Sequence, residues 1–156
     1  MAASDTSAAT ATGPVLFAYD GSELAQLAIE QAGLQLAPGR DALIACVWQT
    51  GDVGFVPTGE RRFNAAEATQ VRRAAEETAA HGASLAEKAG FHPQSVAIEA
   101  APTWKGLLEV AEQHGASLIV LGSHRRTGVA RHLLGSVAAA VLDHTALPVL
   151  IVRQQS

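Results

Sequence analysis

Hydrophobic residues in this chain form short continuous runs, and these alternate with longer segments in which apolar residues recur every three or four positions. Short apolar runs are typical of strands buried on both faces of a parallel sheet, whereas the wider spacing is typical of amphipathic helices. The runs predict five strands, at residues 14–19, 42–48, 95–100, 118–121 and 148–152. The wider spacing predicts four helices, at residues 23–35, 65–89, 103–114 and 136–145.

Strands and helices alternate strictly along the chain, which predicts a parallel sheet covered by helices on both faces. The run at 95–100 shows only partial alternation, so we expect it near an edge of the sheet. Ligands of such sheets bind beyond the carboxyl ends of the strands. Asp20, Trp48 and the pair Gly122–Ser123 all lie at predicted strand ends. We therefore expect them to meet at one crevice.

The most informative stretch is residues 118–137, LIVLGSHRRTGVARHLLGSV. An apolar run is broken at Gly122 and Ser123, a basic loop follows, and Gly135–Ser136 opens an alanine-rich helix. A strand, a glycine-containing loop and a helix N-terminus together form an arrangement that binds phosphate, because free backbone N–H groups and the positive end of the helix dipole coincide there. The alternative is an ordinary turn in which Ser136 serves as the helix N-cap.

Length and composition restrict the remaining possibilities. A chain of 156 residues is long enough for one domain with a sizeable core. We predict a disordered tail at 1–13, a long surface loop at 49–64 and a short C-terminal tail at 154–156. The net charge of −4 argues against general nucleic-acid binding, and the single cysteine, Cys46, excludes an intrachain disulfide.

No apolar run is long enough to span a bilayer, and the N-terminus lacks the features of a signal peptide. We therefore expect a cytoplasmic protein without membrane or nucleic-acid partners.

Three segments resemble the universal stress protein family: VLFAYDGSELA, ASLIVLGSH and GVARHLLGSVAAAVLDHTALPVLIVR. The resemblance covers nearly all of residues 14–153. It implies a single α/β domain with a Rossmann-like, adenine nucleotide α-hydrolase-like fold. This fold would be a five-stranded parallel sheet with strand order 3-2-1-4-5 and helices on both faces. It also implies a homodimer joined through the last strand, from Pro148 to Val152.

The resemblance further implies a nucleotide site. ATP-binding members carry Gly, two residues, Gly, nine residues and then Gly-Ser or Gly-Thr. Here the first glycine is Gly122 and the closing pair is Gly135–Ser136, but Arg125 occupies the middle glycine position. The implied ligand contacts are Ala18, Asp20, Val47, Gly122, Ser123, His124, Arg125, Gly135, Ser136 and Val137.

In the implied arrangement, Asp20 lies near the adenine and the ribose, and Val47 offers backbone hydrogen bonds to the adenine edge. Gly122, Ser123 and His124 pass beneath the ribose and phosphates. The N–H groups of Gly135, Ser136 and Val137, with the Ser136 hydroxyl, face the phosphates.

Two functions follow from the resemblance, beside a third alternative in which the pocket is altered to hold another anionic ligand. In the first, ATP (with Mg²⁺) or a related adenine nucleotide is a regulatory ligand, and Arg125 contacts a phosphate. In the second, Arg125 alters the pocket, and the protein is a dimeric adaptor that binds no nucleotide. If the family's glycine has positive φ, the backbone strain of arginine at this position costs about 1 kcal/mol or more. No catalytic constellation or metal-ligand motif stands out among the six histidines. We therefore expect no enzyme, with slow ATP hydrolysis left open.

Overall fold

The computed structural model describes residues 13–49, 65–123 and 134–154 of the chain. Several predictions fall outside these residues: most of the N-terminal tail (1–12), nearly all of the 49–64 loop, the positions of His124 and Arg125, and the last two residues.

The described residues form five parallel strands and four helices in strict alternation, as predicted. The strands pair in the order β3-β2-β1-β4-β5, which confirms the expected topology and places β3 at one edge. The elements are β1 (Val15–Ala18), α1 (Glu23–Gln35), β2 (Asp41–Trp48), α2 (Ala65–Lys88), β3 (His92–Glu99), α3 (Thr103–His114), β4 (Leu118–Ser123), α4 (Ser136–His144) and β5 (Val149–Arg153).

The core lies on both faces of the sheet because successive side chains of a strand point to opposite sides. Val15 and Phe17 of β1 pack on the face covered by α1 and α2, while Leu16 packs on the face covered by α3 and α4. All three side chains are at most 1% exposed. The continuous apolar run of β1 is thus explained by a central strand that is buried on both faces.

Two predicted strand ends are wrong. Gly122 and Ser123 do not break β4, because they pair with Val152 and Arg153 of β5. β3 begins at His92, three residues earlier than predicted, since its first residues pair with the start of β2. In both cases a neighbouring strand satisfies the backbone and overrides a weak local preference. The other element ends agree with the prediction to within one residue.

Two features of the helices complete the fold. Gly115 ends α3 in the left-handed conformation, with φ of 64°, which favours glycine at a helix C-cap. Within residues 13–49, 65–123 and 134–154, no helix has the length and apolar character that crossing a lipid bilayer demands.

Candidate functional site

A cavity of about 210 Å³ opens at the carboxyl ends of β1, β2 and β4. β1 lies between the other two strands, and the first turns of α3 and α4 complete the walls. This is the point at which successive crossovers leave the sheet in opposite directions, so the strand ends separate and leave a space.

The structure brings eight of the ten predicted site residues to this cavity. Those that line it are Ala18, Asp20, Val47, Gly122, Ser123, Gly135, Ser136 and Val137. The other two, His124 and Arg125, lie outside the described residues. Trp48 is the exception among the residues at strand ends: it is 7% exposed and packs against Ala75 and Ala79 of α2, on the opposite face of the sheet.

The cavity has both apolar and polar lining residues. Its apolar walls come from Ala45 and Val47 of β2, Leu107 of α3 and Leu121 of β4. Its polar lining comes from the side chains of Asp20, Ser22, Thr103, Ser123 and Ser136. Such a combination, with few polar groups beside apolar walls, is typical of sites for small organic ligands.

The turn between β1 and α1 fixes Asp20 at the cavity. Gly21 has φ of 83°, a conformation that favours glycine, and it turns the chain sharply. Asp20 Oδ1 accepts a hydrogen bond of 2.9 Å from the Ser22 amide, and Ser22 Oγ caps α1 by accepting one of 3.1 Å from the Ala25 amide. Asp20 therefore stabilises the turn, and its exposed carboxylate remains beside the cavity.

The N-terminus of α4 lies at the cavity. Its N-cap is Gly135, so the alternative in which Ser136 caps the helix is wrong. The Gly135 amide donates a 2.9 Å hydrogen bond to Ser123 Oγ, and Ser123 is only 2% exposed. The amides of Ser136 and Val137 come next, in the first turn, where no carbonyl of the same helix is available. Gly135, being a glycine, provides no side-chain hydrogen bond to this end of the helix.

Gly122 has a packing role that the sequence does not reveal. A Cβ atom at this position would lie 2.7 Å from Leu24 Cγ and 3.2 Å from the Leu24 carbonyl oxygen. Carbon atoms at such distances overlap strongly, because their optimal separation is about 3.5–4.0 Å. The glycine therefore allows the first turn of α1 to approach β4, and this contact shapes one wall of the cavity.

Tyr19 links the site to the helices of the opposite face. Its hydroxyl lies 2.8 Å from His81 Nδ1 of α2, and its side chain is 3% exposed. Burial raises the pKa of the Tyr19 phenol, and the charges of Asp20 and Cys46 add to this, while a hydrogen bond with Gln26 opposes it. The phenol therefore stays neutral at physiological pH and anchors the residue that precedes Asp20.

Several lining residues were missed by sequence reasoning. Thr103 and Leu107 belong to α3, which follows the edge strand β3 along the chain. They could have been found from the topology, because the N-terminus of α3, like that of α4, must lie at the carboxyl edge of a parallel sheet. Among the described residues, no group of three or more His, Cys, Asp or Glu is arranged to hold a metal ion.

Solved structures support the fold independently. The structure of protein MJ0577 of Methanocaldococcus jannaschii superposes with a TM-score of 0.73 at 22% identity, over 94% of this chain and 99% of that one. A universal stress protein in complex with cAMP superposes with a TM-score of 0.57 at 26% identity, over 92% of this chain and 98% of that one.

Sequence comparisons identify the family. Universal stress protein YxiE of Bacillus subtilis is 30% identical over 149 residues, which are 89% of this chain and 97% of that protein. Universal stress protein G of Escherichia coli O157:H7 is 51% identical over 45 residues, and this match spans about a third of that protein, 31%. The profile of the universal stress protein family matches residues 12–153, nearly the whole chain. The chain therefore belongs to the universal stress protein family.

Proposed function

We propose that this protein binds an adenine nucleotide, ATP or a close relative, as a regulatory ligand. The observation that carries the proposal is one cavity in which apolar walls meet a helix N-terminus whose N-cap residue, Gly135, makes no side-chain hydrogen bond. A nucleotide has the matching parts, a planar base and an anionic phosphate group. Helix N-termini bind phosphate because their amides are unpaired and the helix dipole favours negative charge.

Each part of the nucleotide has a place in the proposal. The adenine lies against Val47, whose backbone at the end of β2 accepts and donates hydrogen bonds at the base edge. Asp20 receives hydrogen bonds from the ribose hydroxyls. The phosphates lie at the amides of Ser136 and Val137, beside Gly135, whose own amide is bonded to Ser123 Oγ, and over Gly122 and Ser123. Ala18, His124 and Arg125 complete the proposed set of contacts.

Two observations support an adenine nucleotide as the class of ligand. A related universal stress protein, 26% identical to this chain, was solved in complex with cAMP. The cavity of about 210 Å³ is also below the ~300–1,000 Å³ of ordinary ligand sites, so it suits the nucleoside part, with the phosphates at its rim.

A binding role is proposed rather than catalysis. Asp20 and Tyr19 are the only ionisable side chains among the described residues that line the cavity. Tyr19 is held neutral by burial, so Asp20 alone would have to serve both as a base and as a magnesium ligand. A Mg²⁺ ion would therefore come with ATP and be held mainly by its phosphates. Such a ligand acts by binding one conformation better than another.

The proposal includes a cytoplasmic homodimer joined through the last strand, from Pro148 to Val152. β5 is an edge of the sheet, and its Val149, Leu150 and Ile151 are only half-buried in the single chain. An apolar edge strand with unpaired backbone groups favours pairing with another chain.

A second candidate is an adaptor that dimerises without nucleotide. It is favoured by Arg125, which replaces the glycine of the binding motif. An arginine side chain in the phosphate space would exclude the ligand instead of neutralising its charge. The two candidates differ in whether Arg125→Gly creates binding or merely alters it.

The decisive experiment is calorimetric titration of the wild-type protein and Ser136→Asp with ATP. Asp at the first position of α4 stabilises the helix by about 0.3–1 kcal/mol through the helix dipole. The same charge repels a phosphate, so we expect a loss of about 1–2 kcal/mol in binding, or roughly 5- to 30-fold in Kd. Ser84→Asp, an exposed position on α2, is the matched control.

The outcomes separate the candidates. Weaker binding with unchanged or higher Tm in Ser136→Asp, and normal binding in Ser84→Asp, supports phosphate at α4. Equal affinity in all three proteins contradicts that placement. If the wild-type protein binds no adenine nucleotide at millimolar concentration and Arg125→Gly does, the adaptor function is the correct one.

A further inference from the structure

A second, more open groove adjoins the cavity, between the start of α3 and the first part of α4. It has a volume of about 720 Å³ and is lined by Gln49, Ala101, Pro102, Thr103, Trp104, Ser136, Val137 and Ala140. Three of these residues, Thr103, Ser136 and Val137, also line the first cavity. The two spaces therefore meet at the first turns of α3 and α4.

We propose that this groove is a second subsite, which takes a planar base, so that the preferred ligands are two nucleosides joined through phosphates. This inference rests on the proposed nucleotide site. The cavity at the strand ends holds one nucleoside, the phosphates cross the α4 N-terminus at Ser136 and Val137, and the second base reaches Trp104. A mononucleotide would leave the groove to solvent.

The indole of Trp104 is the feature that selects a base. Trp104 is half-buried and lines the groove, while its ring stacks on His144 with centroids 3.9 Å apart and planes at 17°. The His144 ring is itself fixed in position, because its Nδ1 donates a 2.8 Å hydrogen bond to the Ala140 carbonyl. The indole is therefore kept in one orientation before ligand arrives, and stacking on it costs little conformational entropy.

The rest of the groove suits a heterocycle attached to a phosphate chain. Pro102, Val137 and Ala140 supply apolar surface around the indole, and Gln49 supplies an amide at the rim. The Gln49 amide nitrogen lies 3.4 Å from Thr103 Oγ1, a long hydrogen bond that connects the end of β2 with the start of α3. A base is apolar on its faces and polar at its edge, which matches this lining.

The test compares ATP with diadenosine tetraphosphate by calorimetry on the full-length protein. Base stacking on an aromatic side chain predicts an affinity about 5- to 150-fold higher for the dinucleotide than for ATP. Trp104→Ala should reduce this ratio to about 2 or less, the statistical value for a ligand with two equal ends, and should leave ATP binding nearly unchanged. Trp48→Phe, on the opposite face of the sheet, should keep the full ratio.

A second variant tests the subsite independently, in case Trp104→Ala does not fold. Ala140→Gln fills the groove with a longer side chain while leaving Trp104 in place, and glutamine is well tolerated in helices. It should also abolish the preference for the dinucleotide. In Trp48→Phe, Trp104 is the only tryptophan of the chain, so its emission should change with the dinucleotide more than with ATP.

Other results would overturn the inference. If ATP binds and the dinucleotide binds no more than twofold tighter, the subsite is wrong while the nucleotide site stands. If the preference exists but survives both Trp104→Ala and Ala140→Gln, the second base lies elsewhere. If neither compound binds, the proposed function fails and the subsite fails with it.

Discussion

For the replacement of Gly82 in α2 by alanine, sequence and structure predict opposite effects on stability. Glycine in a helix interior is about 1 kcal/mol less favourable than alanine, so Gly82→Ala should stabilise the protein on helix propensity alone. In the structure, however, a Cβ at this position would lie 2.7 Å from Ile44 Cγ2, 2.7 Å from Tyr19 Cδ2 and 2.9 Å from Tyr19 Cγ. Alanine would thus overlap two neighbours at once.

Neither neighbour can move away easily. Ile44 is fully buried in β2, and Tyr19 is 3% exposed with its hydroxyl held near His81 of the same helix. Overpacking of this kind costs about 1–3 kcal/mol, and three contacts below 3.0 Å place the cost at the upper end. After the gain in propensity, we expect Gly82→Ala to destabilise the protein by about 1–2 kcal/mol, or roughly 2–8 °C in Tm.

The assay is reversible unfolding in urea, followed by circular dichroism, for the wild-type protein, Gly82→Ala and Ser84→Ala. Ser84 lies on the exposed side of the same helix, so its replacement should stabilise by about 0.5 kcal/mol or less. In the double variant Gly82→Ala/Ile44→Ala, the two destabilisations should be less than additive, because the second change removes one overlap. Stabilisation by Gly82→Ala, as for an exposed helical glycine, would refute this account.

Two further predictions concern the residues that hold the site in shape. Tyr19 has a raised pKa, so the folded state favours the neutral phenol. Its contribution to stability is complete below its ordinary pKa of 10.0 and is lost as the pH rises through the higher folded value. The free energy of unfolding, measured from about pH 8 to about pH 11, should therefore fall more steeply at the alkaline end in wild type than in Tyr19→Phe, and parallel curves would contradict this account. Ser123→Ala should lower the free energy of unfolding by about 1–3 kcal/mol, because it leaves the Gly135 amide without its hydrogen-bond partner. Hydrogen exchange of that amide should become faster, and an unchanged exchange rate would contradict a stabilising role for the bond.

The sequence alone determined the order of elements and the class of fold. Continuous apolar runs and helical spacing are local properties, so they mark strands and helices without knowledge of partners. Strict alternation then leaves few topologies, because crossovers are right-handed. The resemblance to a known family supplied the strand order, which the structure confirms, and residues such as Asp20, Val47 and Gly135, which the structure places around one cavity.

Only the tertiary structure decided what depends on neighbours distant in sequence. Val47 and Trp48 are adjacent, yet one lines the cavity and the other packs beneath α2, because side chains alternate along a strand. Gly122 continues a strand and accommodates Leu24, since β5 and α1 supply contacts that no local pattern encodes. Trp104 meets the groove only because α3 and α4 pack side by side, an arrangement fixed by the whole sheet.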